Sequence, residues 1–287
     1  MSFDPFLYAA LAGGFVLGRF VRPPAGWVRR ASIATVLVLV ALLGGSIAPL
    51  PTGEVTRAIP VALGFTALIL LITVGIALLL GRRTRTPGKP PSASDVRSSV
   101  RVSAVILAAL LLGYALGRAT TLAFAPGIPW ALYVLLALVG LDLTFSRAAL
   151  RHAWLPITAA AVGAVAAAVV FAVFSGISPK VSFAIALGFG WYSLTGPLVA
   201  ARAGAYLGVL AFLTNFFREN LTMVLAPVAG PRLRGEGLAA AGGATSMDTT
   251  LFFITRYGDP EAGGLALTTG LVLTLAAGLL LPLVLSL

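Results

Sequence analysis

Three polar motifs interrupt apolar sequence in the second half of this 287-residue chain: GFGWYSLTG at 188–196, TNFFREN at 214–220 and GGATSMDTT at 242–250. Each motif places glycines, hydroxyls or charged side chains within sequence that is otherwise apolar enough for a lipid bilayer. Unpaired polar groups are costly in lipid and are therefore usually functional there. Such groups bind ions or small polar solutes, so the three motifs are the predicted functional centre.

The glycines of the first and third motifs predict interrupted helices. Each glycine weakens a helix by roughly 1 kcal/mol relative to alanine, and the released backbone groups need partners other than lipid. We therefore predict that the two breaks meet near the middle of the membrane and face a common polar cavity. The glycines concerned are Gly188, Gly190, Gly196, Gly242 and Gly243. The polar side chains that can complete the cavity are Tyr192, Ser193, Thr195, Thr245, Ser246 and Asp248.

Each of these two motifs also has a simpler explanation. The small residues of the first motif would also serve close helix packing. The hydroxyls and the carboxylate of the third motif would also serve a helix N-cap that faces water. The polar side chains favour the functional interpretation, because packing alone does not require them.

The second motif carries the carboxylate of Glu219 within an apolar run. Its neighbour Arg218 is poorly placed to pair with it, because adjacent positions on a helix do not face each other. Asn215 stands one turn earlier on the same helix face and is predicted to share a site with Glu219. Asp142, near the predicted inner end of the fifth span, either joins this site or is solvated beside Arg147.

The composition predicts an all-α, polytopic membrane protein. Hydrophobic residues make up 59% of the chain, charged residues 10%, and the mean hydropathy is +1.02, whereas a soluble domain carries roughly 25% charged residues. The net charge of +11 comes from basic residues in short loops, a pattern that suits lipid headgroups rather than nucleic acid. The chain has no cysteine, and its one histidine, His152, is predicted to be solvated in a basic loop, so neither thiol chemistry nor a metal site is expected.

The hydropathy pattern predicts eight to ten membrane crossings. The apolar segments lie at 6–21, 32–48, 61–80, 102–120, 130–145, 155–174, 182–199, 205–228 and 263–285. The 235–257 segment is too polar and glycine-rich for a continuous span, so we predict a re-entrant or broken helix there. A linker at 82–98, rich in arginine, proline and serine, divides the helices of 1–81 from those of 99–287 and is predicted to be flexible.

Basic clusters on alternate loops predict the orientation of a multi-pass protein in the plasma membrane. The clusters lie at 19–30, 82–97 and 147–152. Because loops rich in Lys and Arg stay in the cytoplasm, the N-terminus is predicted outside and the 82–98 linker inside. On this topology Arg202 marks the inner end of the 182–199 segment.

A faint internal repeat predicts inverted-topology halves, as many transporters have. LLGGSIAP at 42–49 and LVGLDLTF at 138–145 align with Gly44 opposite Gly140, which places Ser46 opposite Asp142. The two helices are three apart in order, so they cross the membrane in opposite senses.

The three motifs in this order resemble those of the LysO lysine exporter family of prokaryotic inner-membrane proteins, over about 188–250. The resemblance implies export of L-lysine and toxic lysine analogues in exchange for protons. It also implies an intramembrane acidic residue in each half. Glu219 matches the acid of the second half, whereas the first half offers Ser46 at a helix end and Glu54 in the following turn.

The polar residues are compatible with a lysine substrate. Glu219, Asp248 and Asp142 are candidates for binding its two amines, and the helix breaks near Ser193 and Thr245 are candidates for binding its carboxylate. A carboxylate inside the membrane can hold either a proton or a cationic group, and this competition is the physical basis of antiport. No cofactor is expected, and the expected partners are lysine, protons, membrane lipids and further copies of the chain.

Two other classes of function remain open. A sodium-coupled carrier of another small organic ion would show the same broken helices and carboxylates. An intramembrane aspartyl protease would need Asp142 and Asp248 to meet, but the Tyr-Asp and Gly-x-Gly-Asp motifs of such enzymes are missing and the GFG at 188 is followed by Trp191. We therefore expect a transporter rather than an enzyme.

Overall fold

The computed structural model describes residues 5–21, 24–80, 93–142, 147–258 and 261–287, and these are helical apart from short turns. The helices are α1 (Pro5–Val21), α2 (Ala25–Ile47), α3 (Thr52–Leu80), α4 (Ala93–Ala119), α5 (Gly127–Asp142), α6 (Arg147–Ser175), α7 (Pro179–Ala186), α8 (Tyr192–Ala203), α9 (Ala205–Gly242), α10 (Leu251–Tyr257) and α11 (Ala262–Ser286). A 3-10 helix, Gly243–Met247, joins α9 to α10.

The protein is an all-α membrane bundle, which confirms the predicted fold class. Within the described ranges, four helical stretches are long and apolar enough to cross a membrane: Gly26–Ile47, Thr52–Leu80, Ala153–Ser175 and Ala262–Ser286. Large apolar side chains on these helices point outward, among them Leu71 (74% exposed) and Phe174 (84% exposed). Outward-facing apolar side chains are stable where the solvent is lipid.

Some helices begin earlier than the hydropathy predicts. Thr52 starts α3, so Glu54 lies in the first helical turn instead of a loop, where its charge favours the helix dipole. Ala93 starts α4, so residues 93–98 of the predicted linker are helical. The prediction for 82–92 lies outside the described residues.

The directions of α3, α6 and α9 follow from their contacts. The Thr66 hydroxyl of α3 donates to the Thr214 carbonyl of α9 (2.8 Å), and further along α3 Val74 packs on the cluster that contains Met223 of α9, so the two helices run parallel. The ring of Phe65 in α3 stacks on Phe171 of α6 (3.8 Å). The glycine contacts of α6 show that it runs antiparallel to α3 and α9. We call face A the side where α3 and α9 begin and α6 ends, and face B the other side.

Glycines bring two further helix pairs into backbone contact. In α1, Gly14 lies against the Ala137 backbone of α5, and Gly18 lies against Leu141 of the same helix. In α4, Gly113 lies against the Ala41 backbone of α2, and Gly117 lies against Gly45 and Ala48. Both pairs run parallel, and a Cβ at Gly14 or Gly113 would collide with backbone atoms. The small residues therefore set the close approach of these helices.

Residues 179–203 form a re-entrant hairpin, hairpin 1, and do not cross the membrane. Its first arm, α7, starts near the face A end of α6 and runs inward. Its second arm, α8, runs back beside α9: Gly196 lies against Phe212 and Gly208 lies against Ala200. The segment at 182–199, which the sequence allowed either as a crossing or as an interrupted helix, is therefore re-entrant, and Arg202 lies at face A, on the same side as the end of α6.

Residues 235–258 form a second re-entrant hairpin, hairpin 2, which enters from face B. A kink at Arg234, with φ 58° and ψ −176°, separates its first arm from the long part of α9. Its two ends come together, because a Cβ at Gly258 would lie 3.2 Å from the Gly235 Cα. Its tip lies beside α11, where a Cβ at Gly270 would be 2.9 Å from the Ala244 carbonyl oxygen. Gly270 stands about 12 Å along α11 from its start.

Candidate functional site

The tips of the two hairpins meet inside the bundle, at the predicted helix breaks. The Ala244 amide of hairpin 2 donates to the Phe189 carbonyl of hairpin 1 (2.8 Å). Both tips use left-handed backbone: Gly190 has φ 94° and Gly243 has φ 63°. A side chain at Gly243 would collide with the Phe189 carbonyl, so glycine is needed for the contact.

Asn215 of α9 stabilises the break in hairpin 1. Its Oδ1 accepts from the Gly190 amide (2.7 Å), and its Nδ2 donates to the Ile185 and Ala211 carbonyls (3.0 Å each). Both amide hydrogens and the acceptor oxygen thus bond to backbone groups of hairpin 1 and of α9 itself. The expectation that Asn215 shares a site with Glu219 stays a prediction.

The predicted hydroxyls also bond to backbone within their own breaks. Such bonds supply partners for carbonyls that leave the helix ladder. The donors and carbonyl acceptors are Thr195 to Trp191 (2.8 Å), Thr245 to Gly242 (3.0 Å), and Ser246 to Gly243 (2.7 Å) or Ala266 (2.9 Å). Ser193 is buried at the start of α8. The hydroxyls of Thr195, Thr245 and Ser246 therefore help to shape the tips.

Glu219 is the buried carboxylate of the site. It is 1% exposed and stands midway between Ala205 and the Arg234 kink, about 21 Å along α9 from its start. Its carboxylate interacts with Thr249 and Asp248 at the tip of hairpin 2, and its charge also acts on Tyr192 of hairpin 1. In the described part of the chain its Oε1 has no hydrogen-bond partner. An unpaired buried oxygen is costly, so this atom is a candidate for ligand or proton binding.

Asp248 is exposed, in contrast to Glu219. Its Oδ1 accepts hydrogen bonds from the amide and the hydroxyl of Thr249, the latter at 3.1 Å. The structure thus places an accessible carboxylate and a buried one around the same threonine. A cation that meets Asp248 has a second carboxylate within electrostatic reach.

Tyr192 closes the site from the side of hairpin 1. It is buried at the start of α8, where its ring packs edge-on against Phe212 (5.4 Å) and Phe216 (5.7 Å). Its hydroxyl is subject to the charges of Glu219 and Asp248. Residues of three separate motifs therefore converge here.

Arg218 is a site residue that the sequence analysis considered only as a partner for Glu219. It is 0% exposed, and its Nε and Nη2 donate to the carbonyls of Ala241 (2.9 Å) and Ala240 (3.0 Å) in hairpin 2. Its Cζ lies 6.0 Å from the centre of the Phe189 ring in hairpin 1. Its Nη1 has no hydrogen-bond partner within the described ranges. Arg218 therefore touches both hairpins and retains one free donor group.

Two predicted residues are not brought into this site by described contacts. Asp142 is the last residue of α5, and its side chain lies outside the described residues, as does that of His152 in α6.

Ser46 donates to the Leu43 carbonyl (2.8 Å) and lines a cavity of about 120 Å³ at face A, between α2, α5 and hairpin 1. Among the described residues no group of three His, Cys, Asp or Glu side chains could hold a metal ion.

Comparison with known proteins gives one family. The chain is 37% identical over 100 residues to the lysine exporter LysO of Escherichia coli strain K12, which covers 35% of this chain and 33% of that protein. It is 31% identical over 159 residues to a putative lysine exporter of Haemophilus influenzae strain Rd, covering 52% of this chain and 81% of that protein. The match thus spans about a third of the Escherichia coli protein.

No solved structure matches the chain. The sequence model of one family, described as lysine exporter LysO, matches residues 104–285, which contain both hairpins, Arg218 and Glu219. Because this match covers more than half of the chain, the protein belongs to the lysine exporter LysO family.

Proposed function

We propose that the protein exports L-lysine and toxic lysine analogues from the cytoplasm, and that Glu219 exchanges a proton for an ammonium group of the substrate. The observation that carries this proposal is the position of Glu219. A buried carboxylate with a free oxygen stands midway along a membrane helix, where two hairpins from opposite faces meet. Family membership supplies the substrate.

The two carboxylates have different parts in this exchange. Asp248 is accessible and would meet a cationic amino acid first, and Glu219 would take over the ammonium when it gives up its proton. A carboxylate in a low-dielectric site cannot stay charged without a partner, so it binds either the proton or the substrate. Mutually exclusive occupancy of Glu219 would couple the two fluxes.

Face B is the proposed cytoplasmic side. Arg232, Arg234 and Arg256 lie at the base of hairpin 2 on face B, and α3 ends and α4 begins on the same face. Because Lys and Arg concentrate in cytoplasmic loops, this placement supports the orientation. The Tyr8 hydroxyl of α1 bonds to Leu279, near the end of α11, so the N-terminus would lie at face A, outside the cell.

An inverted repeat would relate α1 and α2 to α4 and α5. Residues 14–19 of α1 read GFVLGR, and residues 113–118 of α4 read GYALGR. The contacts repeat as well, since Gly14 lies against Ala137 of α5 and Gly113 lies against Ala41 of α2. Hairpins that enter from opposite faces fit the same arrangement, in which a central site opens to each side in turn.

A sodium-coupled carrier is the second candidate, because two carboxylates around one hydroxyl also suit a metal cation. The hypothesis of an intramembrane aspartyl protease has less support than either carrier. Asp142 is the last residue of α5, at face B, whereas Asp248 lies at the tip of hairpin 2.

Reconstituted liposomes would test the proposal. Purified protein should move labelled lysine when a pH gradient is imposed, and a sodium gradient of equal size should add nothing. Lysine movement driven by sodium alone would favour the sodium-coupled carrier. Absence of lysine movement under both gradients, in liposomes that contain folded protein, would overturn the proposed function.

A further inference from the structure

Two buried, oppositely charged neighbours each retain an unpaired atom. Nη1 of Arg218 and Oε1 of Glu219 have no hydrogen-bond partner in the described chain, and both residues are buried. They do not pair with each other, because adjacent helix positions diverge by about 100°. A buried charge without its full set of partners is costly, so one unpaired cationic donor beside one unpaired carboxylate oxygen calls for a ligand.

The two side chains meet the same part of the protein from different directions. Arg218 bonds to the first arm of hairpin 2 at Ala240 and Ala241, just before the tip, whereas Glu219 interacts with Thr249 and Asp248, just after it. A small ligand at this tip could contact both. Since the hairpin is the element that both charges touch, a bound ligand would also fix the hairpin against α9.

We infer that Arg218 binds the α-carboxylate of the transported amino acid through Nη1, while Glu219 and Asp248 bind its ammonium groups. This inference rests on the proposed function. It adds a reason why the site would prefer an amino acid, which has a carboxylate, to a simple diamine, which has none. One cationic and two anionic side chains match the charges of lysine, which has one carboxylate and two ammonium groups. A neutral amino acid would leave one carboxylate without a partner.

The geometry of the guanidinium suits this role. Two of its nitrogens already bond to carbonyls at the end of a helical arm, which hold the planar group in place. A guanidinium fixed in this way loses little entropy when its remaining N–H groups meet a carboxylate. Gly243 leaves the space for it, because a Cβ there would lie 3.0 Å from Nη2.

Binding of lysine and lysinamide to the purified protein would test the inference. Lysinamide keeps both amines but replaces the carboxylate with a neutral amide. The wild type should bind lysine at least about 10-fold more tightly than lysinamide, as expected for a buried charge-assisted contact. Arg218→Lys, which keeps the charge but not the fork of donors, should weaken lysine binding more than lysinamide binding, and Arg202→Lys at face A is the matched control.

The outcomes separate this inference from the function on which it rests. Equal affinity of the wild type for the two ligands would overturn the role of Arg218 and leave lysine as the substrate. Equal loss of both affinities in Arg218→Lys would show that the residue only supports the hairpin, which also overturns the inference. Failure of the folded wild type to bind lysine would overturn the proposed function itself.

Discussion

Substitution of Gly243 tests whether direct contact between the hairpin tips is needed. Gly243 has φ 63°, and an alanine Cβ there would collide with the Phe189 carbonyl and press on Arg218. Relief of the collision requires the tips to separate, and the hydrogen bond from the Ala244 amide to Phe189 would then break. We expect Gly243→Ala to fold less stably and to transport lysine poorly.

The size of the effect follows from two costs. Left-handed backbone costs alanine about 1–2 kcal/mol relative to glycine, and loss of the Ala244 to Phe189 hydrogen bond costs about 0.5–1.5 kcal/mol. The expected loss in the free energy of unfolding is therefore about 1.5–3.5 kcal/mol. For a protein of this size, such a loss lowers the melting temperature by about 3 °C or more.

Thermal unfolding in detergent and lysine transport in liposomes would measure the two effects. Gly64→Ala is the matched control, because Gly64 lies within α3 and a Cβ there would meet no atom within 4 Å. The control should be as stable as the wild type or slightly more stable, since alanine favours helix. Wild-type stability and transport in Gly243→Ala would refute the tip-to-tip arrangement.

Three further experiments test the scaffold and the orientation. Asn215→Ala leaves buried backbone groups of hairpin 1 without partners, so it should cost about 2–4 kcal/mol in stability; wild-type hydrogen exchange at 187–191 would contradict this. Gly14→Ala should prevent α1 from packing closely on α5, whereas Gly13→Ala, whose Cβ meets nothing within 4 Å, should fold normally. Equal yields of the two variants would contradict the glycine contact. The chain has no cysteine, so a single introduced cysteine reports on which side of the membrane its position lies. An impermeant thiol reagent should label Lys180→Cys in intact cells and should not label Ser92→Cys. The reverse pattern of labelling would invert the proposed orientation.

The helix breaks could be predicted from sequence because their cause is local. Glycines such as Gly190 and Gly243 weaken a helix wherever they stand, and the polar residues beside them indicate that the breaks are used. The direction of the chain after a break is not local. The 182–199 segment is long and apolar enough to cross a membrane, and it turns back because Gly196 and Gly208 let α8 pack against α9. Such a contact between distant residues leaves no hydropathy signal.

Residue roles within the 214–220 motif were predicted only in part. Glu219 could be singled out because a carboxylate in an apolar run is costly wherever its helix packs. The roles of Asn215 and Arg218 depend on carbonyls of the two hairpins, at Ile185 and Ala241, which no spacing within the motif reveals. The GFVLGR and GYALGR segments were an available signal for the proposed repeat, since they share glycines and an arginine at equal spacing.

The proton flux that accompanies lysine movement tests the central claim most directly. A pH-sensitive dye enclosed in liposomes would record proton movement when lysine is added, for the wild type, for Glu219→Gln and for the control Glu261→Gln, an exposed residue at the start of α11. An amide can neither release a proton nor balance an ammonium, so Glu219→Gln should abolish both proton movement and lysine exchange, while Glu261→Gln should retain both. Lysine-driven proton movement at the wild-type rate in Glu219→Gln would contradict the role of Glu219 as the coupling carboxylate.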